Sequence, residues 1–284
     1  MFKFFFYKFG QFCVHRLPLQ LAYKIAVFIS DLQYYFSPRD RKAVTNNLIV
    51  ILSTNDDVSS RVKEVFRNFG RYLLEFFRMA KFLNKDYIKK NVKIENLHYL
   101  DDILKKGKGG IILTAHIGNW ELGGVIMSML GYPIVAVALP HKERPVNDLF
   151  NSQREARGVA VVQTNGAIKK CIEALRQNKM VGLLADRDFG LTGEVMDFLG
   201  KKALIPKGPA SFSEKTGAPI LPTFLIREKE DLFTLTIEEP IYPPKEGTER
   251  EILLAIMKKY TSIIESKIRE YPTQWLMFRK FWIE

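Results

Sequence analysis

The sequence predicts an α/β fold, a mixed, largely parallel sheet flanked by helices, with a helical, aromatic N-terminus in front of it. Three observations predict it. From residue 109 onward, short apolar runs alternate with stretches of helical periodicity. The first hundred residues lack that alternation and read as helices. Hydrophobic residues make up 47% of the 284, which suits a substantial core and excludes a disordered chain.

The N-terminus begins MFKFFFYKFG, and apolar residues continue to Phe36. Leu17-Pro18 is expected to break this stretch into two helices, because proline cannot continue one. Lys3, Lys8, His15, Arg16, Gln20, Lys24 and Asp31 interrupt the run, so it falls short of the ~20 apolar residues of a spanning helix. No small-residue cleavage site follows a compact apolar core. Aromatic rings beside lysines fit helices lying in a headgroup interface. Core helices packed under the domain are the alternative.

Residues 1–36 are therefore expected to associate with a membrane, and residues 37–284 to form the main domain. Within it, 37–100 reads as helical, 109–245 as the α/β core, and 249–284 as a last helix and tail. Residues 39–52 and 57–84 are amphipathic; Val62, Val65, Phe66, Phe69, Leu73, Phe76 and Phe77 recur at helical spacing in the second, which Asp56 or Ser59 can cap. GGIILTAHI reads as a buried strand and NWELGGVIMSMLG as the helix after it. YPIVAVALP, VAVVQT and KMVGLLADRD are further strands, separated by the helices PVNDLFNSQREARG and AIKKCIEALRQN. The short helix ASFSEKTG, the strands APILPTFLIRE and DLFTLTIEEP, and a helix over 249–271 complete the series.

A formal charge of +12 calls for an anionic partner: nucleic acid, anionic lipid headgroups or an acidic carrier protein. The lysines are spread along the chain without a nucleic-acid motif, so nucleic acid is not expected. Cys13 and Cys171 form no C-x-x-C pair, and the four histidines have no zinc spacing. Neither a disulfide framework nor a metal or other cofactor is expected.

The most informative segment is Thr114-Ala115-His116-Ile117-Gly118-Asn119-Trp120-Glu121. It starts at the carboxyl end of a buried strand, where open α/β sheets place ligands. His116 falls in the loop and Glu121 in the first turn of the next helix. A carboxylate brought back across that turn fixes the imidazole tautomer, leaving Nε2 as a base for a hydroxyl. Helix-terminal N–H groups, aided by Gly118, can hold the resulting oxyanion. Asp186, Arg187 and Asp188 end a later strand on the same sheet edge; an acid there can orient the site or an acceptor headgroup, or simply form an internal ion pair. There is no G-x-S-x-G elbow, no H-E-x-x-H, no phosphate loop and no dinucleotide loop. A base with an orienting carboxylate and none of these suits direct group transfer.

The segment also matches the H-x4-D/E signature of the glycerolipid and lysophospholipid acyltransferases. More narrowly, the chain resembles the bacterial lipid A biosynthesis acyltransferases, with the mycobacterial phosphatidylinositol mannoside acyltransferases as relatives. The resemblance runs over nearly the full length: the aromatic N-terminus, Arg41 to Leu48, HIGNWE at 116–121, Arg144-Pro145 with Asn147, LLADRDFG at 183–190, FLGKKALIPKGPASFSEKTGAPILP at 198–222 and QWLMFRKFW at 274–282. It implies His116 as general base with Glu121 as its partner. It implies substrate contacts at Asn119, Arg144, Asn147, Asp186, Arg187, Asp188, Lys207 and Gly208. Arg144 is apt for phosphate, since a guanidinium is a fixed fork of donors. It further implies an acyl-carrier protein or coenzyme A thioester as donor, a lipid hydroxyl as acceptor, and the cytoplasmic face of the inner membrane as location. The terminal block departs from the family's usual pattern, with Met277, Arg279, Lys280 and Phe281 between its outer tryptophans. From other classes, a non-catalytic membrane protein or a basic nucleic-acid-binding protein are the competing readings.

Overall fold

Proline and capping residues set the helix boundaries. The computed structural model describes residues 2–54, 56–164, 166–188, 190 and 192–283, without the side chains of Phe2 and Lys3. Met1 and Phe189, which fall in the N-terminal and LLADRDFG segments named above, lie outside the described residues. Helix α1 (Phe2–Arg16) ends before Pro18, which is the N-cap of α2 (Leu19–Phe36). Pro38 opens α3 (Pro38–Leu52), where its missing N–H costs nothing. The long α4 (Ser59–Phe82) buries Val62, Val65, Phe66, Phe76 and Phe77, the expected apolar face.

The segment up to residue 100 is not helical throughout. After α5 (Lys85–Asn91), capped by Asn84, it supplies strand β1 (Val92–Glu95) and only then α6 (His98–Lys105). The α/β core therefore begins earlier than residue 109. It continues through β2 (Gly110–Thr114), α7 (Trp120–Met129), β3 (Ile134–Ala138), α8 (Arg144–Glu155), β4 (Ala160–Gln163), α9 (Ala167–Arg176) and β5 (Met180–Leu184). A hairpin, β6 (Glu194–Phe198) and β7 (Lys201–Ile205), comes next; the sequence reading did not foresee it. Then come α10 (Gly208–Thr216), β8 (Ile220–Lys229), β9 (Leu232–Ile237), α11 (Glu249–Glu270) and a 3-10 turn, Pro272–Gln274. A capping box between Thr248 and Glu251 starts α11.

The sheet has the order β1-β9-β8-β2-β5-β3-β4. The five strands from β8 to β4 are mutually parallel; β9 runs antiparallel to β8, and β1 parallel to β9. Both faces are covered, as a largely parallel sheet requires. Alternate residues divide between them: Ile111, Leu113, Val181, Ile220 and Phe224 join α9, α10, α11 and the start of α4, while Ile112, Met180, Ile134, Leu221 and Leu225 join α6, α7, α8 and the end of α4. Phe4, Tyr7 and Val14 of α1 pack against the second cluster, so the N-terminal helices are joined to the domain.

Candidate active site

Parallel register decides what meets at the carboxyl end of the sheet. Strands β2 and β5 are neighbours with Thr114 opposite Leu184, and the Ala185 N–H donates to the Thr114 carbonyl at 2.9 Å. Two residues past each partner stand His116 and Asp186. Their side chains meet: His116 Nδ1–H donates to Asp186 Oδ1 at 2.7 Å, and the His116 backbone N–H donates to Oδ2 at 2.9 Å. Trp275 Nε1–H adds a bond to Oδ2 at 2.9 Å. Asp186 is fully buried. Burial pushes its carboxyl up, but the His116 charge and the bonds from His116 and Trp275 outweigh that and hold it at about 2. In the neutral imidazole, an Nδ1–H committed to Asp186 leaves the lone pair on Nε2.

The carboxylate bonded to the His116 ring is thus Asp186, where Glu121 was expected. Glu121 lies in the first turn of α7 and forms a two-pronged pair with Arg154 of α8, Nε to Oε2 at 2.8 Å and Nη2 to Oε1 at 2.6 Å. Arg154 was not singled out in the sequence, where it reads as one more charge on a polar helix. The pair is mostly buried, and both residues line the same cavity as His116. Burial lowers the Arg154 pKa, while the bonds and charge of Glu121 raise it above its ordinary value on balance.

Three aromatic rings brace this corner. The His116 ring meets Trp120 edge-on at 4.9 Å, and Trp120 stacks on Tyr72 at 4.5 Å. The C-terminal tail latches the loop from below: Leu276 N–H donates to the His116 carbonyl at 2.7 Å, and Gly118 N–H to the Gln274 carbonyl at 3.0 Å. Gly118 has φ +61°, and a Cβ there would stand 2.0 Å from the Leu225 carbonyl oxygen, so only glycine fits. Its N–H is used within the fold, which removes it as the oxyanion donor the sequence suggested.

His116, Glu121, Arg154 and Arg187 share a cavity of about 670 Å³, whose other walls are mainly apolar, among them Val125, Met127, Ile134, Ala136, Leu225 and Leu235. Gly124 and Gly182 line it too, and nothing lies within 4 Å of a Cβ built on Gly124. Arg187 meets Met277 Sδ through Nε at 3.4 Å; burial lowers its pKa, and neighbouring Asp186 opposes that.

The remaining expected contacts lie elsewhere. Asn119 is buried at the N-cap of α7, accepting from Leu122 N–H at 3.0 Å and donating to Glu75 at 2.7 Å. Asn147 accepts from His141 N–H at 3.2 Å and shapes the loop before α8. Asp188 accepts from the backbone N–H groups of Gly190 and Gly193. Arg144 is solvent-exposed beside Asp148, outside the cavity, because it is the first residue of α8 and projects beyond the packed face. Lys207 and Gly208 start α10 and do not line the cavity either. Of the basic residues expected to converge on the His116 edge, Arg187 is the one that does.

The chain matches the family model of bacterial lipid A biosynthesis acyltransferases over residues 1–284. Among curated relatives, the phosphatidylinositol mannoside acyltransferase of Mycobacterium tuberculosis (strain ATCC 25618 / H37Rv) is 28% identical over 221 residues, spanning 76% of this chain and 68% of that protein. The lipid A biosynthesis palmitoleoyltransferase of Escherichia coli (strain K12) is 25% identical over 276 residues, spanning 93% and 87%. Among solved structures, the 1-acyl-sn-glycerophosphate acyltransferase PlsC from Thermotoga maritima aligns with TM-score 0.41 and 16% identity, covering 89% of this chain and 99% of that one.

Proposed function

The chain belongs to the bacterial lipid A biosynthesis acyltransferase family and is an acyltransferase, and from that premise we propose that it moves a fatty acyl chain from an acyl thioester to a hydroxyl of a membrane saccharolipid such as a lipid A precursor. The donor is an acyl-carrier protein or coenzyme A thioester. The observation that carries this reading is the His116–Asp186 pair opening onto an apolar cavity. His116 Nε2 takes the proton of the acceptor hydroxyl as its oxygen attacks the thioester carbonyl. Asp186 steadies the imidazolium that forms. The tetrahedral intermediate collapses, the carbon–sulfur bond breaks, and the proton passes from His116 to the leaving thiolate, giving ester and free thiol. The apolar walls suit an acyl chain, and Arg187 suits the negative charge of a headgroup phosphate or of the intermediate.

Membrane contact belongs to the same reading. Phe5, Phe6, Phe9 and Phe12 of α1 and Phe28, Leu32, Tyr35 and Phe36 of α2 are exposed. No helix among the described residues is long and apolar enough to cross a membrane. Tyr7 and Gln33, from these two helices, line the cavity, so a surface docked through them brings lipid to its mouth. Docking on the cytoplasmic face of the inner membrane places the protein where both acyl donors are made.

The test is mass spectrometry of lipids formed by the purified protein. It is offered acyl-carrier protein and coenzyme A thioesters, each with a lipid A precursor, a phosphatidylinositol mannoside or a lysophospholipid. A new ester on the lipid A precursor, absent with His116→Ala, is expected. Acylation of only one of the other acceptors would move the substrate assignment, and no acylation of any would remove the transfer reading.

A further inference from the structure

Behind the cavity, and not lining it, lies a buried carboxylate that the chemistry above does not use. Glu75 of α4 is 5% exposed, in the interior of a helix whose other buried neighbours are apolar. It accepts from Asn119 Nδ2 at 2.7 Å and Tyr23 Oη at 2.8 Å, and pairs with Arg227 of β8. Arg227 is in turn gripped through its backbone: its N–H donates to Gln274 Oε1 at 3.0 Å, and its carbonyl accepts from Gln274 Nε2 at 2.8 Å. The Gln274 carbonyl accepts from Gly118 N–H at 3.0 Å, and Gly118 is bonded to Asn119, where the circuit began. The bonds therefore close a ring, Glu75–Asn119–Gly118–Gln274–Arg227–Glu75. The ring runs through the Gly118–Asn119 peptide, midway between His116 and Glu121.

We propose that Glu75 is a positioning residue for acyl transfer, holding the 116–121 loop in place through this ring; the proposal rests on the transfer reaction at His116. A buried ion pair is weak evidence for stability, because desolvation cancels most of the attraction, and an apolar pair of the same volume often does as well. What an apolar pair cannot do is fix the angle at which four separate elements meet. Here the ring ties α4, the start of α7, β8 and the C-terminal turn to one point beside the base. Tyr23 extends it to α2, the helix whose exposed aromatic face is the expected membrane contact.

The hydrogen-bond polarity gives a direct test. The Asn119 amide oxygen is used by the Leu122 cap, so its amide nitrogen must face Glu75. Asn119→Asp keeps the cap but sets carboxylate against carboxylate. Glu75→Gln keeps acceptance from Tyr23 and Arg227 but sets amide against amide. The double variant Glu75→Gln/Asn119→Asp restores a donor facing an acceptor. Each single variant is expected to lower kcat about 10- to 100-fold, the scale of an ångström of misplacement. The KM for the acyl thioester stays within about twofold, since the cavity walls are untouched. The double variant recovers to within about fivefold of wild type. The full-length protein is assayed with acyl-carrier protein and coenzyme A thioesters, and the His116 ring nitrogen signals are followed by NMR without substrate. Those signals are expected to move in each single variant and return in the double. Wild-type kcat in either folded single variant, or a double variant no better than its parents, overturns the proposal. Should Asn119→Asp fail to fold, Gln274→Glu breaks the ring on its far side and is expected to give the same kcat loss; wild-type kcat there overturns the proposal equally. If wild type turns over no thioester, the transfer reading fails separately, and the NMR signals decide whether Glu75 positions the loop.

Discussion

The floor of the cavity and the outer faces of α1 and α2 invert the usual distribution of side chains in opposite ways. At the floor Glu121 and Arg154 are nearly buried, and just behind it Asp186 and Glu75 are buried, yet each has close hydrogen-bond partners. On α1 and α2, large aromatic rings stand in solvent, Phe9 at 68% and Phe36 at 81% exposure. Burying charge and exposing apolar surface both oppose folding, so each marks a place where something other than stability shaped the chain. The difference teaches which kind of function to seek. Partnered buried charge holds reactive groups at fixed angles. Exposed aromatic surface waits for a partner that withdraws it from water.

The largest effects belong to the floor. His116→Ala is expected to lower kcat by about 10² to 10⁴, the usual value of a general base, without changing the fold. Asp186→Asn is expected to approach that loss, because an amide at this place no longer fixes the Nδ1–H tautomer or steadies the imidazolium. Steady-state kinetics with circular dichroism checks both. A folded His116→Ala protein with wild-type turnover would remove the floor from the comparison altogether.

The next effect separates the two carboxylates. Glu121→Ala leaves the Arg154 guanidinium mostly buried without its partner, which is expected to cost about 3 kcal/mol or more of stability. Glu121→Gln/Arg154→Met is expected to recover much of that loss. Denaturant melts measure it. The His116 ring nitrogen signals should respond to Asp186→Asn and stay near wild type in Glu121→Gln. The reverse pattern would return the orienting role to Glu121.

That assignment shows where a sequence can be read and where it cannot. His116 was legible because GGIILT is an unmistakable buried strand and the histidine stands two residues past its end. Asp186 was legible as a strand-end acid, but its pairing with His116 spans 70 residues and depends on β2 and β5 being neighbours. Strand order is a property of the whole sheet, whereas the five-residue step to Glu121 is visible in the chain, so proximity in sequence drew the pairing to Glu121. Strand β1 hid because four residues, VKIE, follow a helix without a break. The β6–β7 hairpin hid because its turn places Leu199 at φ 52° before Gly200 at φ 86°, and leucine is not a residue that announces a left-handed turn. Trp275 stood in a recognised block, yet nothing in that block says its indole reaches Asp186.

A smaller effect follows from acid. The Asp186 carboxyl is held at about 2 in the folded chain, below its ordinary value of 3.8. A depressed folded pKa contributes stability above the unfolded value and loses it as pH falls through the folded one. The contribution from Asp186 is therefore expected in full above about pH 5 and to disappear between about pH 4 and pH 2. Stability measured by denaturant at stepped pH should fall across that window in wild type. In Asp186→Asn the slope there should be shallower. Equal slopes would mean that Asp186 gains nothing from folding around His116.

The smallest effect per residue belongs to the aromatic surface, and it needs substitution rather than deletion. Phe4, Tyr7 and Val14 pack into the core, so removing α1 would damage the domain and confound any loss of binding. Phe9, Phe12, Phe28 and Phe36 are exposed and can be changed to serine with little effect on folding. Full withdrawal of such a ring from water contributes about 1.5–3 kcal/mol, and a ring at the headgroup boundary is only partly withdrawn. About 1 kcal/mol each, near fivefold in partition, is the expected loss on vesicles containing anionic phospholipid. Salt distinguishes this from charge: raising ionic strength to 1 M shortens the screening length to about 3 Å and weakens the attraction of the net +12 chain, but leaves ring burial in place. The serine variants should therefore lose binding at high salt by the same factor as at low salt. Partition equal to wild type at both salt levels would mean that these rings face no membrane. The exposed face would then need a different partner, while the chemistry at His116 would stand unchanged.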